Sequence, residues 1–219
     1  MNMATVFDIG ANDGESTLGH ALAGHTVWAF EPHPYFCEVI LSKTAGLPNH
    51  RLFRAAVSDF DGWSDFYIYE SEDCSSLMPV REGYEREWTH LRPGSMNLLH
   101  SLRVEVVTLE RVIRENRIRR VDWLHCDAQG NDLKVLAGLG DMVRLVAGGV
   151  VECVARPDLA LYEGQCSLGE VEAWLSGAGF RVDSVAVNDP RQHGGPANEL
   201  NVYFSNPAFG ADPSAVVTS

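Results

Sequence analysis

The stretch Val6-Phe7-Asp8-Ile9-Gly10-Ala11-Asn12-Asp13-Gly14-Glu15 constrains the fold more than any other part of the chain. Val6, Phe7 and Ile9 have the character of a strand covered on both faces. Gly10 and Gly14 then allow a tight turn and close approach of the backbone to a ligand. Behind the turn, Leu18, Ala21 and Leu22 recur at helical spacing. A second apolar strand, Thr26 to Phe30, closes on Glu31-Pro32. Strand, glycine turn, helix and a second strand ending in an acid make up half of a dinucleotide-type site, in which the acid holds ribose hydroxyls.

The form of the turn selects among ligands. Gly10-Ala11-Asn12-Asp13-Gly14 lacks the glycine that lets a pyrophosphate approach the helix N-terminus, and Asp13 and Glu15 place negative charge beside that position. A ligand with a ribose and a cationic amino-acid tail but no phosphate suits it better, and S-adenosylmethionine answers that description. A nicotinamide-dependent oxidoreductase is the alternative that uses the same half-site, and a non-catalytic cofactor-binding domain is a third reading.

Composition narrows the partners. The net charge of −13 repels polyphosphates, which argues against nucleic acid. The one dense basic run, around Arg117, Arg119 and Arg120, is broken by Glu115 and reads as a solvated helix end. No apolar run reaches the roughly 18 residues of a membrane span, and the N-terminus carries no signal-peptide pattern. Cys37, Cys74, Cys126, Cys153 and Cys166 are odd in number and have no C-x-x-C spacing, so a reducing cytoplasm is the expected setting.

Along the chain, Pro34 opens a helix carrying Phe36, Val39 and Ile40. A strand runs from Arg51 to Val57, and Asp61-Gly62 signals a hairpin into the alternating run Trp63 to Tyr69. Residues 70–103 lose periodicity and read as an insertion over the carboxyl edge of a sheet, serving either as a lid that meets substrate or as a cover for an exposed edge. Val104 to Val107 resumes regular structure, followed by a helix capped by Thr108. Next come a strand from Val121 to Asp127, a helix capped by Asn131, and a strand from Leu145 to Cys153. Ser167-Leu168-Gly169-Glu170 is a capping box. Arg181 to Val187 and Leu200 to Phe204 are strands joined by the Gly- and Pro-rich loop Asp189 to Asn198, without a helix between them, so they pair antiparallel. The expected fold is α/β, Rossmann-like and doubly wound, with a mostly parallel sheet and an antiparallel C-terminal strand. It forms one domain over residues 1–205, with a mobile tail at 206–219.

The chain resembles the FkbM-type methyltransferases, a branch of the class I S-adenosylmethionine-dependent enzymes. The likeness is carried by Phe7 to Gly14, Ala29 to Pro32, Ala56 to Asp59, Ser75 to Leu77, Val107 to Leu109 and Cys126 to Asp132. The resemblance implies the class I methyltransferase fold and a cofactor site in which Asp8, Gly10 and Asn12 line the methionine end, with Gly14 also among the cofactor-binding residues. Glu31 with Pro32 would hold the ribose, and Ser58 and Asp59 would lie beside the adenine. One departure is plain: the family usually has a glutamate where Gln129 stands in Asp127-Ala128-Gln129-Gly130.

Methyl transfer to a hydroxyl of a small molecule, sugar or secondary metabolite is then the expected reaction. It needs an in-line geometry and a group to take the hydroxyl proton. Asp127, which also borders the cofactor, Glu152 and Asp132 are the candidates for acid/base work, set against simple helix capping. His125 alternates within its strand and reads as a satisfied core histidine. Ser75, Ser76 and His33 are candidate substrate contacts, with packing or capping as the alternative for His33. Asp127, Asp132 and Asn131 offer oxygens suited to Mg²⁺, although three polar residues at a helix start ordinarily cap it, and no metal ligand is assigned. Trp63 and Trp88 read as packing residues.

Overall fold

The computed structural model describes residues 3–89, 91–187 and 198–209. Among them, ten strands and five α-helices follow in the order β1 (Thr5–Ile9), α1 (Glu15–Leu22), β2 (Thr26–Phe30), α2 (Pro34–Lys43), β3 (His50–Phe53), β4 (Ala56–Val57), β5 (Gly62–Tyr69), β6 (Leu98–Val107), α3 (Leu109–Glu115), β7 (Trp123–Cys126), α4 (Asp132–Ala137), β8 (Gly148–Val154), α5 (Leu168–Gly177), β9 (Arg181–Val187) and β10 (Glu199–Ser205). Seven strands form one sheet in the order β3-β2-β1-β7-β8-β10-β9, parallel except where β10 runs against both β8 and β9. This is the doubly wound arrangement with an antiparallel closing strand that the sequence predicts.

Strand alternation distributes the core over two faces. Phe7 and Ile9 of β1 pack with Leu109, Val112 and Ile113 of α3, Val135 and Leu136 of α4, and Val171 and Leu175 of α5. Val6 turns the other way, with Ala21 of α1, Val27, Trp123 and Val150. Asp8 has the parity of Val6 and therefore lies beneath α1. α1 is more thinly anchored than its sequence suggests: Thr17 and Ala21 are buried, but Leu22 is 68% exposed.

Four other expectations change. The single strand expected over 51–57 is two, because the backbone leaves the main sheet after Phe53 and β4 joins a second, three-stranded sheet in the order β4-β6-β5. No glycine or proline marks the break. The Asp61-Gly62 turn does not fold β5 onto β4; β5 pairs antiparallel with β6. The Asp61 carboxylate instead accepts from the Thr108 N–H at 2.9 Å, docking the turn on the start of α3. The irregular segment ends at Asn97, since Leu98 to Arg103 extend β6 as a largely exposed ribbon of mixed polarity. Trp63 is 60% exposed rather than packed.

Residues 70–89 and 91–97 form a roof with a hydrophobic core of its own, in which Tyr69, Trp88 and Met96 meet Leu159, Leu161 and Tyr162. Trp88 Nε1 donates to the Leu159 carbonyl at 2.9 Å, as its packing role predicts. Asn206 is tied to Ala147 by a backbone bond of 2.8 Å, and Arg120 covers the Phe209 ring, so the segment expected to be mobile is docked as far as Phe209. Residues 210–219, and the loop 188–197, lie outside the described residues. Among the described residues no helix is long and apolar enough to cross a membrane.

Candidate active site

A cavity of about 650 Å³, counting its open mouth, lies at the carboxyl ends of β1, β2 and β7, beneath the roof. Its floor is made by the two turns that leave β1 and β7. Gly10 adopts φ +74°, and a Cβ there would fall 1.9 Å from the Asp127 carbonyl oxygen, so the two turns touch through backbone alone. The N–H groups of Gly10 and Ala11 both donate to the Phe30 carbonyl, at 3.0 and 3.1 Å, which closes the floor against β2.

Glu31 stands at the β2 side. Its two oxygens accept from the backbone N–H of Asn12 (2.8 Å) and His33 (2.7 Å). Burial pushes its carboxyl up to about 7 in spite of those two bonds. Gly10, Asn12, Pro32 and His33 line the cavity beside it. His33 also caps α2, its Nδ1 accepting the Tyr35 N–H at 3.2 Å, so the capping alternative is realised by a residue that also lines the cavity.

Asp127 lines the opposite side, held by a chain of polar contacts. Gln129 Nε2 donates to Asp127 Oδ1 at 2.7 Å. The Tyr162 hydroxyl lies 2.8 Å from Gln129 Oε1 and 2.6 Å from the Cys74 carbonyl. Ser76 Oγ donates to the Gln129 carbonyl at 2.6 Å, stitching the roof to this turn. Glu152 lies fully buried behind Asp127 and hydrogen-bonds it. Burial, and then the charges of Asp127, Glu199 and Asp132, push its carboxyl well above the usual range.

Several expected site residues are placed elsewhere. Asp8 does not line the cavity; it is sealed under α1, where its oxygens meet Thr17 Oγ1 at 2.5 Å and His125 Nδ1 at 2.8 Å. Burial opposes its charge, but the His125 bond and charge outweigh it and hold Asp8 below the ordinary carboxylate range. His125 is raised in turn, the Asp8 partner overcoming burial. It is the satisfied histidine its strand position predicts. Gly14, at φ +75°, packs against Ile40 instead of the cavity. The cavity wall reaches Ala56 and Val57 but not Ser58 or Asp59: Ser58 is buried beyond the end of β4 and Asp59 faces solvent.

Asp132 is likewise absent from the wall. Its oxygens accept the N–H groups of Ala128 (2.7 Å) and Gly130 (3.0 Å), and burial followed by the Asp127 charge raises it to about 7. It, and not Asn131, provides the side-chain bonds at the start of α4, for the Asn131 amide donates to the Val57 carbonyl at 2.8 Å. The Asp132 oxygens offered for Mg²⁺ are thus engaged by the backbone. Ser75 lines the cavity and Ser76 does not. Phe36 of α2, Glu72 and Asp73 also reach the wall, and Tyr162 stands behind it through Gln129; no local pattern marks them as site residues, because segments far apart in sequence bring them there.

A parallel sheet with β10 slotted antiparallel between β8 and β9, and a ligand cavity at the strands' carboxyl ends, is the class I methyltransferase architecture. Within that class the chain belongs to the FkbM methyltransferases: the methyltransferase FkbM domain matches residues 8–182. It is 29% identical to the 31-O-demethyl-FK506 methyltransferase FkbM of Streptomyces tacrolimicus, over 84% of this chain and 75% of that protein. Among solved structures it is similar to methyltransferase FkbM from Methylobacillus flagellatus KT (12% identity, TM-score 0.55), covering 92% of this chain but 43% of that one. It is also similar to magnesium protoporphyrin IX methyltransferase from Synechocystis PCC 6803 with bound SAM (10% identity, TM-score 0.51), over 93% of this chain and 70% of the other.

Proposed function

We propose that this methyltransferase uses S-adenosylmethionine and methylates a hydroxyl of a small molecule, sugar or secondary metabolite. The observation that carries the cofactor reading is the charge of the cavity wall. Among the described residues Glu31, Glu72, Asp73 and Asp127 line it, and no Lys or Arg does. A pyrophosphate would face anions with nothing to neutralise it, which disfavours a nicotinamide dinucleotide. A sulfonium, an ammonium group and a ribose diol would instead face acceptors.

The residues fit such a group. Each Glu31 oxygen accepts one backbone N–H, which fixes the carboxylate and leaves a second lone pair on each oxygen for a ribose hydroxyl. Phe36, Ala56 and Val57 give the adenine apolar walls, and Gly10, Asn12 and Asp127 bound the methionine end. When bound, the cofactor supplies an electrophilic methyl carbon. The chain's part is to align an acceptor hydroxyl and hold its proton. Asp127 is the carboxylate on the cavity wall suited to that, kept in one orientation by Gln129 and by its contact with the buried Glu152. Glu152 and Asp132 thus serve Asp127 and its turn from behind.

The Streptomyces relative is named for methylation at an oxygen, which supports a hydroxyl acceptor. A charge of −13 supports a small molecule over nucleic acid, and five free cysteines support a reducing cytoplasm. Calorimetric titration tests the cofactor: S-adenosylhomocysteine should bind, NAD should not, and Glu31→Gln should weaken binding about tenfold or more. Labelled S-adenosylmethionine with a panel of hydroxylated acceptors tests the reaction. Folded protein that binds NAD in preference to S-adenosylhomocysteine would overturn the proposal.

A further inference from the structure

We infer that Asp8, although sealed from the cavity, sets the affinity for the cofactor by anchoring α1 through Thr17 and so holding the glycine turn in its binding shape. The inference rests on the reading of the cavity as an S-adenosylmethionine site. It begins from the turn's backbone. Gly10, Asn12 and Gly14 all have positive φ, at 74°, 49° and 75°. Such a conformation is uphill for Asn12 and restrictive for the chain, so it persists only when both ends of the turn are held.

The upstream end is secure, because β1 is paired on both sides, with β2 and with β7. The downstream end depends on α1. That helix has eight residues, too few to be stable alone, and Gly14 at its N-cap provides no side-chain bond. Its buried side chains are Thr17 and Ala21, with Leu22 turned to solvent. Apolar burial therefore holds α1 weakly, and the 2.5 Å bond from Thr17 Oγ1 to Asp8 is what fixes its first turns to the sheet.

The other Asp8 oxygen takes His125 Nδ1 at 2.8 Å. His125 belongs to β7, the strand that runs directly into Asp127. One buried carboxylate thus ties α1 to β1 and β7, the two strands whose exit turns make the cavity floor. Asp8 is in this sense a positioning residue that acts on the ligand at one remove. The arrangement also explains why an acid stands two residues before Gly10 without reaching the cavity.

The test uses a pair of substitutions at Thr17. Thr17→Val removes the hydroxyl at nearly constant volume, whereas Thr17→Ser keeps it. Affinity for S-adenosylhomocysteine is measured by calorimetry at a temperature where melting curves show each variant folded. Hydrogen exchange of the Gly10 to Gly14 amides is followed in parallel. Thr17→Val and Asp8→Asn are expected to weaken binding about tenfold and to speed exchange in the turn, while Thr17→Ser stays within about twofold of the parent. If Thr17→Val binds as the parent does, or if Thr17→Ser loses as much as Thr17→Val, the inference is overturned. Should Asp8→Asn fail to fold, the Thr17 pair decides alone. A parent protein that does not bind at all overturns the cofactor reading instead, so the two failures are distinguishable.

Discussion

Replacing Gly10 with alanine tests the contact on which the cavity floor is built. The new Cβ would sit 1.9 Å from the Asp127 carbonyl oxygen, whereas a carbon–oxygen contact needs about 3.2 Å. The two turns must therefore separate by roughly 1.3 Å, in a region where the Asp127 N–H donates to the Ile9 carbonyl at 3.1 Å. That stretch breaks the bond, a loss of about 1 kcal/mol. Holding alanine at φ +74° costs about 1–2 kcal/mol more, and the residual overpacking about 1–3 kcal/mol. A total near about 4 kcal/mol corresponds to a melting point lower by roughly 8–16 °C for a chain of this size. Because Asp127 moves with its turn, affinity for S-adenosylhomocysteine should fall as well. Gly19 supplies the control: it lies in α1, and a Cβ added there would meet nothing within 4 Å, so Gly19→Ala should stabilise by about 0.5–1 kcal/mol. Differential scanning calorimetry and titration read both variants. A Gly10→Ala protein melting within about 2 °C of the parent, with unchanged affinity, would refute the reasoning.

Gln129→Glu sets a second carboxylate 2.7 Å from Asp127 Oδ1, where the amide now donates. Allowing for solvent, the repulsion is about 2 kcal/mol, so the variant should melt roughly 4–8 °C lower at about pH 8 and recover towards about pH 5 as the pair takes up a proton; a deficit independent of pH would count against the assigned contact. Glu31, raised from 4.5 to about 7, favours the folded state below pH 4.5 and loses that contribution, about 3 kcal/mol, as pH rises through 7. Asp132, raised from 3.8 to about 7, acts in the same direction. The lowered Asp8 contributes above its unfolded value and loses that as pH falls, which bounds the stable range on the acid side. Melting temperature should therefore peak near about pH 5 and decline towards about pH 8, with a shallower decline in Glu31→Gln; a steady rise over that range would contradict the assignment.

Much of this architecture is legible in the residues, for identifiable reasons. β1 and β2 are largely apolar runs, interrupted in β1 by Asp8 and bounded by glycine or by Glu31-Pro32, and Thr108 and the Ser167–Glu170 box mark their helices by local hydrogen bonds that tertiary packing leaves intact. The Gly- and Pro-rich run Asp189 to Asn198 carries no helical pattern in the sequence, which predicts the antiparallel pairing that β9 and β10 adopt. Where apolar character continues through a change of sheet, as from Phe53 to Ala56, nothing local reports it. Leu98 to Arg103 are hidden because a ribbon exposed along most of its length need not alternate. Within the site, Glu31 and Asp127 follow from their places at strand ends. The orientation of Asp8 is fixed by parity with Val6, a signal present in the sequence but overridden by expectation from the motif. Gln129 and Tyr162 meet across a long span of chain, a pairing set by the roof's own core and invisible to periodicity.

The position of β10 bears on how the molecule is made. It fills the gap between β8 and β9, yet the ribosome delivers it after both. Until Glu199 to Ser205 emerge, β8 presents an unpaired flank of wholly buried type, Gly148 to Val154, and β9 has nothing to lie against. The first half of the sheet can assemble during synthesis, but its completion waits on this late insertion. In that interval the nascent protein is most exposed to capture by foreign strands or by a chaperone.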